Sequence, residues 1–300
     1  MTEELRPDSR CVLRLFGAPP EQLSGAVERL APQWQAAAQW KSRGGETLLA
    51  LCAKTPAGLK KAERSLRAAM PAALYGAGDT TLAAATVEAL ENHGRLLVCG
   101  DAAAGALLEP RLENVAGAEK VFDFGALSYA NAKTAAQIEK RASAKLRGDD
   151  IDVVRLAVAR ANAARRIVGA EIAAACAERT DDCVLVLRTK KGCWLRIVPA
   201  TDSPGLWLLD MIRRAACSLP QASGTGFLPT RSASASDPAA EAKPDTVRPA
   251  RRRWPRVLLT VLVLAALALA AAWWYTGGDL TALPGFPGSA SSPRPGATFM

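Results

Sequence analysis

The sequence predicts an α/β fold followed by one transmembrane helix, and three observations support this prediction. Strand-like and helix-like patterns alternate over residues 10–78 and again over residues 79–219. Residues 220–250 are rich in Pro, Ala and Ser and poor in large apolar side chains. Residues 257–275 form one uncharged apolar run. Because alternating strands and helices build layered sheets, we expect a small α+β module and then a three-layer α/β domain.

The small module is predicted over residues 1–78. RCVLRLFG is apolar enough for a strand, and the segment after it carries apolar residues at helical spacing. Two strands joined around Gly44 and Gly45 follow. Thr55 and Pro56 have the residue types that begin a helix, so they predict the start of a second one.

The second domain is predicted over residues 79–219. A helix precedes the strand RLLVCG, and the turn DAAAGA opens the helix LLEPRLENV. KVFDFGALSY predicts another strand, and two helices follow across residues 131–147 and 151–168. The strands AEIAAAC, CVLVLRT and GCWLRIV precede a closing helix over residues 206–219. This order predicts a sheet covered by helices.

The C-terminal part predicts a membrane anchor. Residues 220–256 are expected to be a disordered basic linker, because they hold too few apolar groups to form a core. The apolar run 257–275 would span about 28 Å as a helix, close to the ~30 Å hydrocarbon layer. Trp254 lies before the run, and the run ends in aromatic residues, which favour the headgroup layer. Residues 276–300 would then form a short external tail.

The charge distribution predicts how the anchor is oriented. The formal net charge is +9, and five arginines lie within residues 248–256 without an acidic residue. Cationic flanks are retained in the cytoplasm, so we expect a single-pass protein of the inner (cytoplasmic) membrane with its N-terminal body inside. The same arginines would attract anionic lipids. Most of the excess charge therefore indicates topology and does not indicate a nucleic-acid partner.

Cysteine and histidine usage limits the chemistry that the chain offers. Seven cysteines occur without a CxxC pair, which predicts reduced thiols that serve as small buried apolar groups. The only histidine, His93, precedes Gly94 and is expected to cap the end of a helix. A Ser-His-Asp triad or a histidine-rich metal site is therefore not expected. We predict no metal and no cofactor.

Several segments, taken in order, resemble the CinA (competence/damage-inducible protein) family. LRLFG and GGETLLAL are followed by ALYGAGDTTLAAATVEALENHGRLLV and then by ALLEPRLENVAGAEKVFDFGALSYANAKT. The resemblance covers roughly Val12 to Leu219. It implies that residues 1–78 are a KH-like linking module and residues 79–219 a CinA C-terminal-type domain. Active members of this family, as the resemblance implies, deamidate nicotinamide mononucleotide.

The turn that carries the family's catalytic residues is altered in this chain. The family motif AESCTGG corresponds here to GDAAAGA, residues 100–106. Ala102 stands at the position of the Ser nucleophile and Ala104 at the position of the Thr, while Gly105 is retained. Because alanine has no group that attacks a carbonyl or donates a hydrogen bond, these substitutions predict an inactive site. Asp101 is a residual catalytic candidate, but it is also well suited to cap the following helix.

Other family positions are also altered. The family's Tyr-x-Asn-x-x-Lys corresponds to Tyr129, Asn131 and Thr134, with Lys133 one position early, which turns its side chain by about 100° on a helix. The resemblance leaves Gly100, Gly105 and Asn131 as ligand-binding candidates, and Asp101, Tyr129 and Lys133 as residual catalytic candidates. The family's VTGIAGP loop is replaced by ACAERTDD. Its Gly-Asp-Arg before the last helix has only distant substitutes. They are Asp210, Arg213 and Arg214.

The sequence therefore predicts a membrane-anchored, catalytically inactive binding or scaffolding homologue of nicotinamide-nucleotide amidohydrolase. The alternative is an active deamidase with rearranged residues, whose ligand would be a pyridine mononucleotide. A nucleic-acid partner is not expected, because a KH domain clamps its ligand with a GxxG loop and residues 10–78 contain none. The protein partner, and whether the chain forms a homo-oligomer, are left open.

Overall fold

A computed structural model describes residues 9–30, 32–146, 152–224 and 226–228. These residues belong to one compact unit, Met1–Pro238. The predicted membrane segment 257–275 and the predicted tail 276–300 lie outside the described residues, as does the linker after Leu228. Within the described ranges, none of the helices combines the length and the apolar composition that crossing a membrane requires.

The first part of the chain forms a four-stranded antiparallel sheet with two helices. The elements are β1 (Ser9–Phe16), α1 (Pro20–Glu28), β2 (Ala36–Arg43), β3 (Glu46–Ala53), α2 (Pro56–Ala69) and β4 (Leu74–Ala77). The strands follow the order β2-β3-β1-β4, so the chain runs β-α-β-β-α-β in the split βαβ arrangement. The structure therefore contains a small α+β module, as the sequence predicted.

Local sequence explains two of these elements. Gly44 and Gly45 both have positive φ angles, +56° and +85°, which lets β2 turn tightly into β3. The Thr55 hydroxyl accepts a hydrogen bond from Gly58 N at 3.1 Å, and Pro56 occupies the first turn of α2. Both features agree with the pattern read from the sequence.

The second part of the chain forms a five-stranded mixed sheet. The strands are β5 (Leu97–Cys99), β6 (Ile172–Glu178), β7 (Asp182–Thr189), β8 (Cys193–Pro199) and β9 (Phe227–Leu228). Their order in the sheet is β5-β6-β7-β8-β9; β5 and β6 are parallel and the other neighbours are antiparallel. The helices are α3 (Leu82–Asn92), α4 (Ala102–Leu112), α5 (Ala118–Val121), α6 (Ala132–Ser143), α7 (Val153–Val168) and α8 (Pro204–Ala216).

Helices cover both faces of this sheet. Alternate residues of each strand contribute to two apolar cores, one with α3, α4 and α8 and the other with α6 and α7. Small side chains line the second core: Ala161 and Ala164 of α7 pack against Ala173 and Ala175 of β6. Because alanine occupies little space, α7 lies close to the sheet. The many alanines of this part of the sequence therefore allow a helix to pack closely on the sheet.

Helix α8 connects the two sheets. Phe16 of β1 packs edge-on against Trp207 of α8 with ring centroids 4.9 Å apart. Arg213 donates to Ala72 O at 2.6 Å and Arg214 donates to Phe16 O at 2.9 Å, so both reach the backbone of the small module. Both arginines also bind the buried Asp210, and we call these three residues the Asp210 cluster. Asp210, Arg213 and Arg214 therefore help to hold the two sheets together.

The segment KVFDFGALSY is not a strand, which corrects the sequence prediction. Its start belongs to α5, and the rest forms turns in which only Phe122 makes an isolated bridge to Leu97. Phe124 and Gly125 have positive φ angles of 48° and 73°, which an extended strand does not allow. The Asp123 carboxylate further fixes the turn by accepting from Leu127 N at 2.9 Å.

Strands β4 and β9 were not predicted from the sequence. Strand β9 extends the folded domain beyond its predicted end at residue 219. Disorder was expected from residue 220, but Ala222 is buried and β9 pairs with β8. Arg214 donates to Pro220 O at 3.1 Å, so the chain after α8 is held against the body. The folded part therefore extends at least to Leu228. Short strands of two to four residues carry too little alternation to be recognised in a sequence.

Candidate functional site

Residues 100–106 run from the end of β5 into α4, and we call them the turn. Only Gly100 and Asp101 lie between the two elements; residues 102–106 are already helical, which corrects the turn that the sequence predicted over DAAAGA. Asp101 is the N-cap of α4: the carboxylate accepts from Ala104 N at 2.9 Å and from Cys176 N of β6 at 3.2 Å. The sequence prediction of a helix cap is therefore confirmed. Burial raises the pKa of Asp101 to about 6, although the two backbone N–H groups favour the charged form.

The two alanines of the turn lie in different surroundings. Ala102 is exposed in the first turn of α4, whereas Ala104 is fully buried in the core. Neither side chain carries a polar atom. A larger polar group at position 104 would therefore enter the packed core between α4 and the sheet.

The two glycines of the turn allow other parts of the chain to pack closely against it. A Cβ on Gly100 would lie 2.8 Å from Ala161 N, so Gly100 permits the close approach of α7. A Cβ on Gly105 would overlap the hydroxyl and ring of Tyr129. Both residues were predicted as ligand-binding candidates, and the structure places each of them against another part of the same chain.

Tyr129 covers the turn. Its ring lies on Gly105, and its hydroxyl donates to Glu109, one helical turn further along α4. Burial raises the pKa of Tyr129, and the Glu109 contact acts in the same direction. The phenol is therefore a neutral donor that is already engaged. Glu109 was missed by sequence reasoning, because its partner Tyr129 lies 20 residues further along the chain and outside α4.

The two remaining candidates, Asn131 and Lys133, lie at the start of α6. Asn131 is the N-cap of α6, and its side-chain oxygen accepts from Thr134 N at 3.1 Å. Lys133 is exposed in the first turn of α6. Tyr129 is thus brought to the turn, while Asn131 and Lys133 belong to the start of the next helix.

The segment ACAERTDD, where the resemblance leads one to expect a nucleotide-enclosing loop, is a tight β-hairpin. It connects β6 to β7, and Arg179 closes it by an ion pair with Asp182 at 2.6 Å. Thr180 lies exposed at its tip. A hairpin of this kind extends the sheet and does not fold back over the turn.

Three thiols lie in or beside the site: Cys99, Cys176 and Cys183. Burial raises the pKa of Cys99. A hydrogen bond with Cys183, together with burial, raises the pKa of Cys176. Because the thiolate is the reactive form, a raised pKa makes both thiols poor nucleophiles at neutral pH. All seven cysteines are free thiols.

The site therefore consists of a capped helix start, a tyrosine ring that covers Gly105, and buried thiols. Across the described ranges, His, Cys, Asp and Glu side chains form no group of three or more that is placed to hold a metal ion. His93 is the C-cap residue of α3, as its position before Gly94 predicted.

Neither a protein-family model nor a curated protein matches this sequence at a significant level.

Proposed function

We propose that this chain is a membrane-anchored binding or scaffolding protein built on a catalytically inactive CinA-type domain. The motifs quoted above support the family, and the two-sheet α/β architecture is compatible with it. In this proposal the four-stranded module is the KH-like linking module and the five-stranded domain is the CinA C-terminal-type domain. The arginine-flanked apolar run holds both at the cytoplasmic face of the inner membrane.

The closed turn at residues 100–106 carries the proposal. An amide hydrolase needs a nucleophile, a base and oxyanion donors around an open carbonyl site. Here the nucleophile and helper positions are Ala102 and Ala104, and the ring of Tyr129 lies over Gly105. The Asp101 carboxylate already binds two backbone N–H groups. Several elements are lost together, which favours binding over catalysis.

One observation favours the alternative, an active nicotinamide mononucleotide deamidase with rearranged residues. A carboxyl group with a pKa of about 6 is close to the range in which a general base works at neutral pH, and Asp101 has such a pKa. Tyr129 would then act as a donor once Glu109 released it.

An ammonia-release assay distinguishes the two functions. Full-length protein purified in detergent is incubated with nicotinamide mononucleotide, and ammonia is measured. We expect the rate to equal that of buffer alone, for the wild type and for the variants Asp101→Asn and Asp79→Asn, the second of which changes an exposed carboxylate. Ammonia release that Asp101→Asn abolishes and Asp79→Asn preserves would overturn the inactive-site proposal.

A further inference from the structure

One end of the five-stranded sheet carries a dense group of basic side chains. At this end β7 turns into β8, and the last turn of α7 leads into β6. We call residues 165–171 and 188–192 together the basic edge. They contain five basic residues and one acidic residue. The basic residues are Arg165, Arg166, Arg188, Lys190 and Lys191.

Strand register places the two segments of the basic edge side by side. Ile172, the first residue of β6, lies opposite Thr189, the last residue of β7. Arg188 lies opposite Cys193 at the start of β8. The turn at residues 100–106 follows the end of β5, which is parallel to β6, so the turn lies toward the opposite end of the sheet. The basic edge is therefore separate from the altered catalytic turn.

The charges of the basic edge are close enough to repel one another. Burial lowers the pKa of Arg165, the neighbouring Arg188 and Arg166 act in the same direction, and Glu171 acts against them. The Nε atoms of Arg165 and Arg188 are buried and have no hydrogen-bond partner among the described residues. The edge therefore holds positive charge that the body of the protein does not fully compensate.

The single acidic side chain of the edge is already engaged. Glu171 Oε2 accepts from Leu96 N at 3.1 Å, and Glu171 Oε1 lies 3.9 Å from Lys190 Nζ. In the part of the chain that the structure describes, Lys190 is the only one of the five basic residues with a carboxylate within 4.0 Å. Arg166, Lys190 and Lys191 are exposed, so the excess charge faces the solvent.

The helix dipole explains only part of this arrangement. Arg165 and Arg166 lie in the last turn of α7, where the C-terminal end of a helix stabilises cations. Arg188 belongs to a strand, and Lys190 and Lys191 belong to a hairpin, so these three do not complement the end of α7 by sequence position. A surface that collects charge of one sign from two separate segments is complementary to an anionic partner.

The path of the chain favours a membrane over other anionic partners. Strand β9 runs antiparallel to β8 and ends with Leu228 opposite Leu195. Because β8 begins at Cys193, β9 runs toward the basic edge and ends about 7 Å from its level. Residues 229–256 lead from there to the apolar run, and a flexible linker of that length spans roughly 30 Å. The basic edge is thus the end of the domain from which the chain leaves toward the proposed anchor.

We propose that the basic edge is a contact surface for anionic lipid headgroups. It rests on the membrane anchor proposed above, which brings the edge to the bilayer. Lipid phosphates offset the repulsion among Arg165, Arg166 and Arg188, and each basic residue near an anionic surface strengthens the attraction. The five-stranded domain is then held with this end toward the membrane, and the turn at residues 100–106 faces the cytosol.

Lysine acetylation of the full-length protein in nanodiscs tests this proposal. One preparation contains phosphatidylcholine alone and the other contains equal parts of phosphatidylcholine and phosphatidylglycerol; mass spectrometry gives the acetylation rate of each lysine. We expect Lys190 and Lys191 to react at least about fivefold more slowly in the anionic nanodiscs. Lys60 and Lys61, which are exposed on α2, should react equally fast in both. At about 1 M salt, where charges are screened beyond ~3 Å, the difference should disappear.

Two double variants separate this surface from a general effect of charge. Arg166→Gln together with Lys191→Gln removes two charges of the edge, so Lys190 should regain most of its reactivity in anionic nanodiscs. Lys61→Gln together with Arg64→Gln removes the same types of charge from α2 and should leave Lys190 protected. All four replaced side chains are exposed, so both variants should fold, and thermal melting verifies this.

Three results would overturn the proposal: equal acetylation of Lys190 in the two lipid compositions, slowing of Lys60 and Lys61 to the same extent, or unchanged protection in the variant that lacks Arg166 and Lys191. Protection of Lys190 by single-stranded RNA but not by phosphatidylglycerol would assign the edge to nucleic acid instead. A protein that enters neither nanodisc would contradict the anchor as well, so failure of the anchor and failure of the lipid contact give different results.

Discussion

Two features of the Asp101 site act in opposite directions on the ionisation of its carboxyl group. Its carboxylate caps α4 and ties β6 to the same turn through Cys176 N. Capping favours the ionised form, whereas burial disfavours it, and burial has the larger effect on the pKa. An unfolded aspartate ionises with a pKa of 3.8, so the folded protein holds this proton more tightly than the unfolded chain does.

This difference predicts a pH dependence of stability. The pKa of Asp101 is raised on folding, so the free energy of unfolding should fall as the pH rises from about 4 to about 6, by roughly 2 to 3 kcal/mol. Asp101→Asn keeps the oxygen that caps α4 and removes the titration. Urea denaturation followed by tryptophan fluorescence at several pH values should give a smaller fall in this interval for the variant. Parallel curves for the two proteins would contradict the prediction.

Gly105 shows how one residue can close a site. Because a Cβ there would overlap Tyr129, Gly105→Ala should destabilise the protein by about 2 kcal/mol. In a Tyr129→Ala background the same change should cost nothing, since alanine is the better helix former. Gly25 is the matched control: a Cβ added there, in α1, would meet no atom within 4 Å, so Gly25→Ala should stabilise by up to about 1 kcal/mol. Chemical denaturation of the wild type, of the three single variants and of the double variant measures these differences.

At the scale of elements, α8 makes contacts with both sheets. It packs in the core of the five-stranded sheet and also sends Arg213 and Arg214 to backbone carbonyls of the small module. The Asp210 cluster is almost completely buried and contains two arginines for one carboxylate. Removing that carboxylate would leave both cations without their charged partner in a poorly solvated place.

This arrangement predicts that two isosteric substitutions lower the free energy of unfolding by very different amounts. Asp210→Asn should lower the free energy of unfolding by about 3 kcal/mol or more. Glu63→Gln breaks a more exposed i, i+4 pair with Arg67 and should cost less than about 0.5 kcal/mol. Chemical denaturation of both variants makes the comparison. Equal costs would show that the Asp210 cluster does not stabilise the contact between the sheets.

At the scale of the whole molecule, the predicted anchor would keep the two-sheet body at a membrane surface. The prediction depends on the apolar run 257–275 and on the five arginines before it. A chain that ends after Arg256 should move from the membrane fraction to the soluble fraction. Alkaline phosphatase fused after Met300 should be active outside the cytoplasm, and replacement of the five arginines with glutamine should reduce that activity. Persistence of the truncated chain in the membrane fraction would contradict the anchor.

Features that depend on neighbouring residues could be predicted from the amino-acid order alone. Periodicity located most strands and helices, Asp101 and His93 were recognised as helix caps, and Ala102 and Ala104 were recognised as positions without a polar group. Each of these follows from local backbone hydrogen bonding or from the chemistry of one side chain. The alternation of apolar residues also indicated which faces would be buried, because helices and strands have different periods.

Contacts that fill and join these elements became known only from the folded chain. Folding lays Tyr129 over Gly105, brings Cys176 N to Asp101, and directs Arg214 of α8 to Phe16 of β1. It also gives KVFDFGALSY a short helix and turns in place of the predicted strand. The physical reason is distance along the chain: the free energy of these contacts depends on groups that lie roughly 20 to 200 residues apart, so no local pattern in the sequence records them.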